Sequence, residues 1–159
     1  MRTMVLSLML VVGCVYSAGC ASRPNANATP TVSASAAPTG SASAAGWRAN
    51  GMRIFQTGKD IDGIPIVAQP PPLFNRCADC HHANGAGGKM FADGAVSADL
   101  RHAALVTHQR DPYTLALLER AIAKGIDNEG KPLDRMMPRW KLSARDLHDV
   151  SMYVLNGLK

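Results

Sequence analysis

The chain has 159 residues, 47% hydrophobic and 5% aromatic, with a formal net charge of +5 at pH 7. That length suits one small domain with appendages and is short for two full domains. The positive charge is scattered, not gathered in a stripe, and no nucleic-acid-binding motif is present, which argues against a nucleic-acid partner.

The N-terminus reads as an export signal over residues 1–20. Arg2 supplies the basic start, and Met4 to Val12 is apolar, continuing with interruptions to Gly19. A spanning helix needs ~20 apolar residues, so this stretch fits a signal peptide better than a transmembrane segment. Ser17-Ala18-Gly19-Cys20 resembles a bacterial lipobox, in which small residues precede a cysteine that is lipidated. Cys14, after Val11-Val12-Gly13, competes for that role; Cys20 is preferred because a full apolar stretch precedes it and a polar tether follows directly. The plain alternatives are an ordinary signal peptide with an incidental cysteine, or an uncleaved anchor. Diacylglyceryl plus an amide-linked chain at Cys20 would hold the protein stably on a membrane. Ala21 after it resembles lipoproteins sent to the outer membrane.

Residues 21–46 are almost entirely Ala, Ser, Thr, Pro, Asn and Gly. Without hydrophobic periodicity they bury too little surface to offset their conformational entropy, and they are expected to form a tether. The folded domain is expected over residues 47–159, with no internal repeat.

A first helix is predicted from Trp47 to Thr57, stopped by Gly58. Gly58-Lys59-Asp60 and Asp62-Gly63 are turn signals around Ile61, Ile64, Ile66 and Val67, giving a short hairpin or an extended loop. Pro70 to Pro72 should be extended.

Cys77-Ala78-Asp79-Cys80-His81 then carries the chemistry. The CxxCH spacing reads as a c-type haem attachment site: two thiols reach two vinyl groups from one turn, and His81 falls beneath the iron as proximal ligand. The competing readings are a thiol redox pair or half of a zinc site. A redox pair should sit in a βαβ pattern, which is not seen here. A zinc site needs further ligands, for which His82, His102 and His108 are the candidates.

Gly85, Gly87 and Gly88 follow as a tight loop able to pass close to a flat ligand. Ser97 is a candidate cap for a short helix through Val106. Asp111-Pro112 reads as the start of another, with Leu115, Leu118 and Ile122 on one face and Lys124-Gly125 at its end. Ser143 and Asp146 form a capping box for the last helix, whose buried stripe is Leu147, Val150 and Val154. All predicted regular structure is helical, so the fold class is all-α.

With these residues in place, the chain resembles the class I c-type cytochromes over Trp47 to Leu158. Four features carry the resemblance: the CxxCH; the Gly51/Phe55 pair of the first helix; Val150 and Tyr153 of the last helix, which pack against that pair; and Met137-Pro138-Arg139-Trp140 with Leu142-Ser143 and Asp146-Leu147. The resemblance implies short helices wrapped around one covalently bound haem c. It implies Met137 as distal iron ligand, with Met136 as the rival after a one-residue slip. Trp140 and Leu142 are implied haem contacts, Trp140 through its indole N–H. Met90, Met152, His102, His108 and His148 are expected to be surface or core residues, not ligands. The long gap from Phe55 to Cys77 departs from the smallest members; the extra residues 58–73 read as a longer loop, with a partner-docking element as the alternative.

The implied function is an extracytoplasmic one-electron carrier with His/Met ligation, working between a periplasmic dehydrogenase or respiratory partner and an acceptor. On this reading it is not an enzyme by itself, its place as a subunit of an oxidoreductase complex stays open, and no small-molecule substrate is assigned. The rival is a haem enzyme or sensor with an open sixth position, peroxidase-like. Basic residues near the motif (Arg76, Lys89, Arg101, Arg135, Arg139, Lys141) would favour an acidic redox partner or merely solvate the surface.

Overall fold

The computed structural model describes residues 44–69 and 72–158. The export signal, Cys14, Cys20, most of the tether, and Pro70 and Pro71 lie outside the described residues. Helix α1 runs Ala44–Thr57, strand β1 Val67–Gln69, the short helix α2 Ala78–His81, helix α3 Leu115–Lys124, strand β2 Arg139–Lys141 and helix α4 Ala144–Gly157. Among these residues no helix is long and apolar enough to cross a membrane.

Helix α1 starts at Ala44, ahead of Trp47, because Ala44-Ala45 are strong helix formers. It ends as expected at Gly58, whose φ of +70° only glycine adopts cheaply. Its buried residues, Asn50, Gly51, Ile54 and Phe55, face α4. A Cβ on Gly51 would stand 2.6 Å from Tyr153 Cβ and closer still to the Asp149 carbonyl oxygen, so the two backbones meet here. One helical turn on, the Phe55 and Tyr153 rings pack at 5.7 Å between centroids, tilted by 56°. The Ser143 hydroxyl caps α4 by accepting the Asp146 N–H at 3.1 Å, as its sequence predicts.

A buried polar knot ties this crossing to residues 58–73. Asn50 Nδ2 donates to Asp149 Oδ2 at 2.8 Å and to Asp146 Oδ1 at 2.9 Å, while Asn50 Oδ1 accepts the Ile61 N–H at 2.7 Å. Asn50 and Asp149 are 2% and 3% exposed. Asn50→Ala would strand a buried carboxylate without its donor. We expect a loss of about 2–4 kcal/mol, seen as a lower urea midpoint at unchanged slope.

Three expectations for the elements are corrected. The all-α class holds, but not every regular element is helical: β1 pairs antiparallel with β2 in the register Val67↔Lys141, Ala68↔Trp140, Gln69↔Arg139. Within the extra residues, Val67–Gln69 therefore form a strand laid on Arg139–Lys141. The pairing is too short to leave a periodicity and its partner too distant to be read locally. Helix α3 begins at Leu115, not at Asp111-Pro112. Tyr113 N–H is drawn to the Leu105 carbonyl at 3.0 Å, and Thr114 becomes the cap, accepting the Leu117 N–H at 3.3 Å. Ser97 starts no helix. Its backbone pairs with Gly88 and Lys89, and only a π-helical turn forms, over Ala103–Thr107.

The turn signalled at Asp62-Gly63 recurs twice further along the chain, a repetition the sequence does not show. In Asp60–Ile64, Phe91–Ala95 and Asp127–Lys131 the first N–H bonds the last carbonyl, at 3.0, 2.9 and 2.9 Å. The glycine before the last residue sits at φ +84°, +86° and +86°. Sequence self-similarity is slight because the turn specifies little beyond that glycine.

Candidate functional site

The CxxCH motif folds as a single turn. The Cys77 carbonyl accepts the Cys80 N–H at 3.2 Å and the His81 N–H at 2.9 Å. The turn stops at His82, a non-glycine residue at φ +61°. Gly87 then turns the chain beneath the motif: a Cβ there would lie 2.6 Å from the Ser97 carbonyl oxygen and nearer still to that of Ala98. This close approach delivers the residues that orient the site. His81 Nδ1 bonds the Ala98 carbonyl at 2.8 Å. A carbonyl only accepts, so Nδ1 carries the proton and Nε2 keeps its lone pair. Burial pushes the imidazole below its usual range, opposed by the Ala98 bond, which favours the neutral ring a metal ligand needs. The Ser97 hydroxyl donates to the Cys80 carbonyl at 2.8 Å, and Lys89 Nζ to the Asp79 carbonyl at 2.9 Å.

Both thiols face apolar surroundings. Burial pushes Cys77 up to about 12 and raises Cys80 in the same direction. A thiol redox pair works by the opposite shift, toward thiolate. Among the described residues no group of three or more His, Cys, Asp or Glu is placed to hold a metal ion. The two rival readings of the motif thus lack support.

The turn opens onto a cavity of about 320 Å³. Its walls are Cys77, Cys80 and His81; apolar side chains of α3 and α4, among them Leu118, Ile122, Val150 and Val154; and the segment Leu133 to Pro138 with Trp140. Thioether-forming cysteines, a histidine with a free lone pair and an apolar enclosure are what a covalently held porphyrin requires, so the residues fit a haem.

Of the sequence-predicted residues, Cys77, Cys80, His81, Met137 and Trp140 meet at this cavity, and Met136 lines it beside Met137. Trp140 is 4% exposed, turned inward from β2. Leu142 is the exception: it packs on the core and does not line the cavity, because the chain leaves β2 there to enter the Ser143 cap. Among the described residues, His81 is the one histidine on the wall. His102 bonds the Leu155 carbonyl at 2.8 Å, His148 lies 3.5 Å from Glu119, and His82 and His108 are exposed. Met90 is exposed on the surface. Ala98 escapes the sequence reading, and Ser97 and Lys89 appear there in other roles, as a helix cap and a basic surface residue. The Ala98 contribution is a backbone carbonyl, which leaves no residue signal.

Fold and site together define a c-type haem protein. The chain belongs to the cytochrome c family: the family model described as Cytochrome c matches residues 68–157. The search of curated proteins gave no match. As a member carrying the Cys77/Cys80 CxxCH motif, the protein binds one haem c covalently and is a haem-binding electron carrier of class I type.

Proposed function

We propose that this cytochrome is an extracytoplasmic carrier of single electrons with His81 and Met137 as axial ligands. The observation that carries the proposal is the pairing, on one cavity, of a histidine whose Nδ1 is already engaged with a methionine from the segment Leu133 to Pro138. A thioether favours Fe(II), so this pair would poise the protein above a bis-histidine haem. Trp140 would close the wall beside it. The protein would be held on the periplasmic side of a membrane by lipid on Cys20. It would accept electrons from a dehydrogenase or respiratory partner with an acidic docking face, and it would have no turnover of its own.

The test is carbon monoxide added to the reduced holoprotein. A closed six-coordinate site leaves the spectrum unchanged over minutes. Rapid formation of a carbon monoxide complex would favour the open-site enzyme or sensor instead.

A further inference from the structure

Arg139 is half-buried, and its guanidinium turns back onto its own chain. Its guanidinium donates to the carbonyls of Leu133 at 2.9 Å and Asp134 at 3.2 Å, and also to that of Met137. Those three acceptors span the whole segment that carries Met136 and Met137. The side chain also lies against Gly125, where a Cβ would stand 2.6 Å from Arg139 Cδ and overlap the guanidinium. Gly125 has φ +67° and closes α3, and its own carbonyl accepts the Leu133 N–H at 2.8 Å. A cation is therefore seated at the C-terminal, negative end of α3 and bonded across to the methionine segment. The planar fork suits this task, since several carbonyls need donors in fixed directions. The next arginine, Arg135, does nothing similar: it is 83% exposed and reaches only Asp93, at 3.6 Å.

We propose that Arg139 is a positioning residue, a clasp that holds Leu133–Met137 closed on the haem cavity from the end of α3. The proposal's chemical consequence rests on the reading of Met137 as ligand: the clasp would set how readily the sulfur leaves the iron. In the segment itself, the Met137 N–H bonds the Asp134 carbonyl at 3.1 Å and the Met136 N–H bonds Asp134 Oδ1 at 2.7 Å. These two amides report its opening directly.

The experiment compares wild-type, Arg139→Met, Arg139→Lys and Arg135→Met holoproteins. Two readouts are taken: hydrogen exchange at the Met136 and Met137 amides, and the temperature at which the sulfur-to-iron charge-transfer band fades relative to helix melting. Arg139→Met should speed exchange at those amides by about tenfold or more over the change in α1 and α4, because charged donors to carbonyls are lost. The band should fade well before the helices melt. Arg139→Lys should lie between, since an ammonium replaces the charge but not the fork. Arg135→Met removes an equal charge from the same region and should leave both readouts at wild type. Exchange that rises uniformly over the domain, or equally in Arg135→Met, overturns the clasp. Should Arg139→Met fail to accumulate, Arg139→Lys decides on the same criteria. Local opening in a protein whose wild type shows no sulfur band supports the clasp and overturns the Met137 reading alone.

Discussion

Met137→Ala holoprotein is expected to keep its covalent haem, lose the sulfur-to-iron band and fall in reduction potential on the order of 0.1 V, within the ~0.8 V range that axial ligands span. The neighbouring Met136→Ala is expected to keep the band and shift far less. Both methionines line the cavity, so position on the wall does not separate them. The separation rests on the family resemblance, which implies as ligand the methionine that precedes Pro138. Absorption spectroscopy of the oxidised variants together with a potentiometric titration checks this. Loss of the band in Met136→Ala and its survival in Met137→Ala would reverse the assignment.

Gly51→Ala should be strongly damaging, although it adds a single carbon to a helix interior. In an exposed helix interior, Gly→Ala stabilises by roughly 0.5–1 kcal/mol, since alanine loses less backbone freedom on folding. Here the added carbon would meet the Tyr153 Cβ at 2.6 Å and the Asp149 backbone nearer still. Neither neighbour is the far end of a flexible side chain. The helices must separate, which disturbs the Phe55–Tyr153 contact and the Asn50–Asp149 bond together. Overpacking of this kind costs about 1–3 kcal/mol, which for a domain of this size lowers the melting temperature by roughly 4–15 °C. Circular dichroism melting of the holoprotein gives the sign directly. A rise in melting temperature would mean that helix propensity outweighs the clash and that the crossing is looser than described.

How much of this was legible beforehand follows from where each signal lies. The CxxCH turn, the α4 cap and the Gly58 stop are written within a few adjacent residues, and the structure agrees with them. The resemblance placed Gly51 against the last helix, and the contact with Tyr153 supplies its physical content. What the sequence hid depends on partners far along the chain. Strand β1 exists only because β2 lies beside it. Asp111-Pro112 was overruled by a hydrogen bond from Tyr113 to Leu105, and Ser97 was diverted to the Cys80 carbonyl. Leu142 is a haem contact only by resemblance; in the structure it packs on the core and is not on the cavity wall. Arg139 read as rim charge, because the carbonyls that absorb a guanidinium have no letter in a sequence.

The most direct test of the central claim is the near-infrared absorption of oxidised wild-type protein, produced with its haem-attachment machinery. A sulfur-to-iron band on a low-spin haem c is the expected result and would establish the His/Met pair. A low-spin spectrum without that band, or a high-spin one, would contradict it and return the protein to the bis-histidine or open-site alternatives.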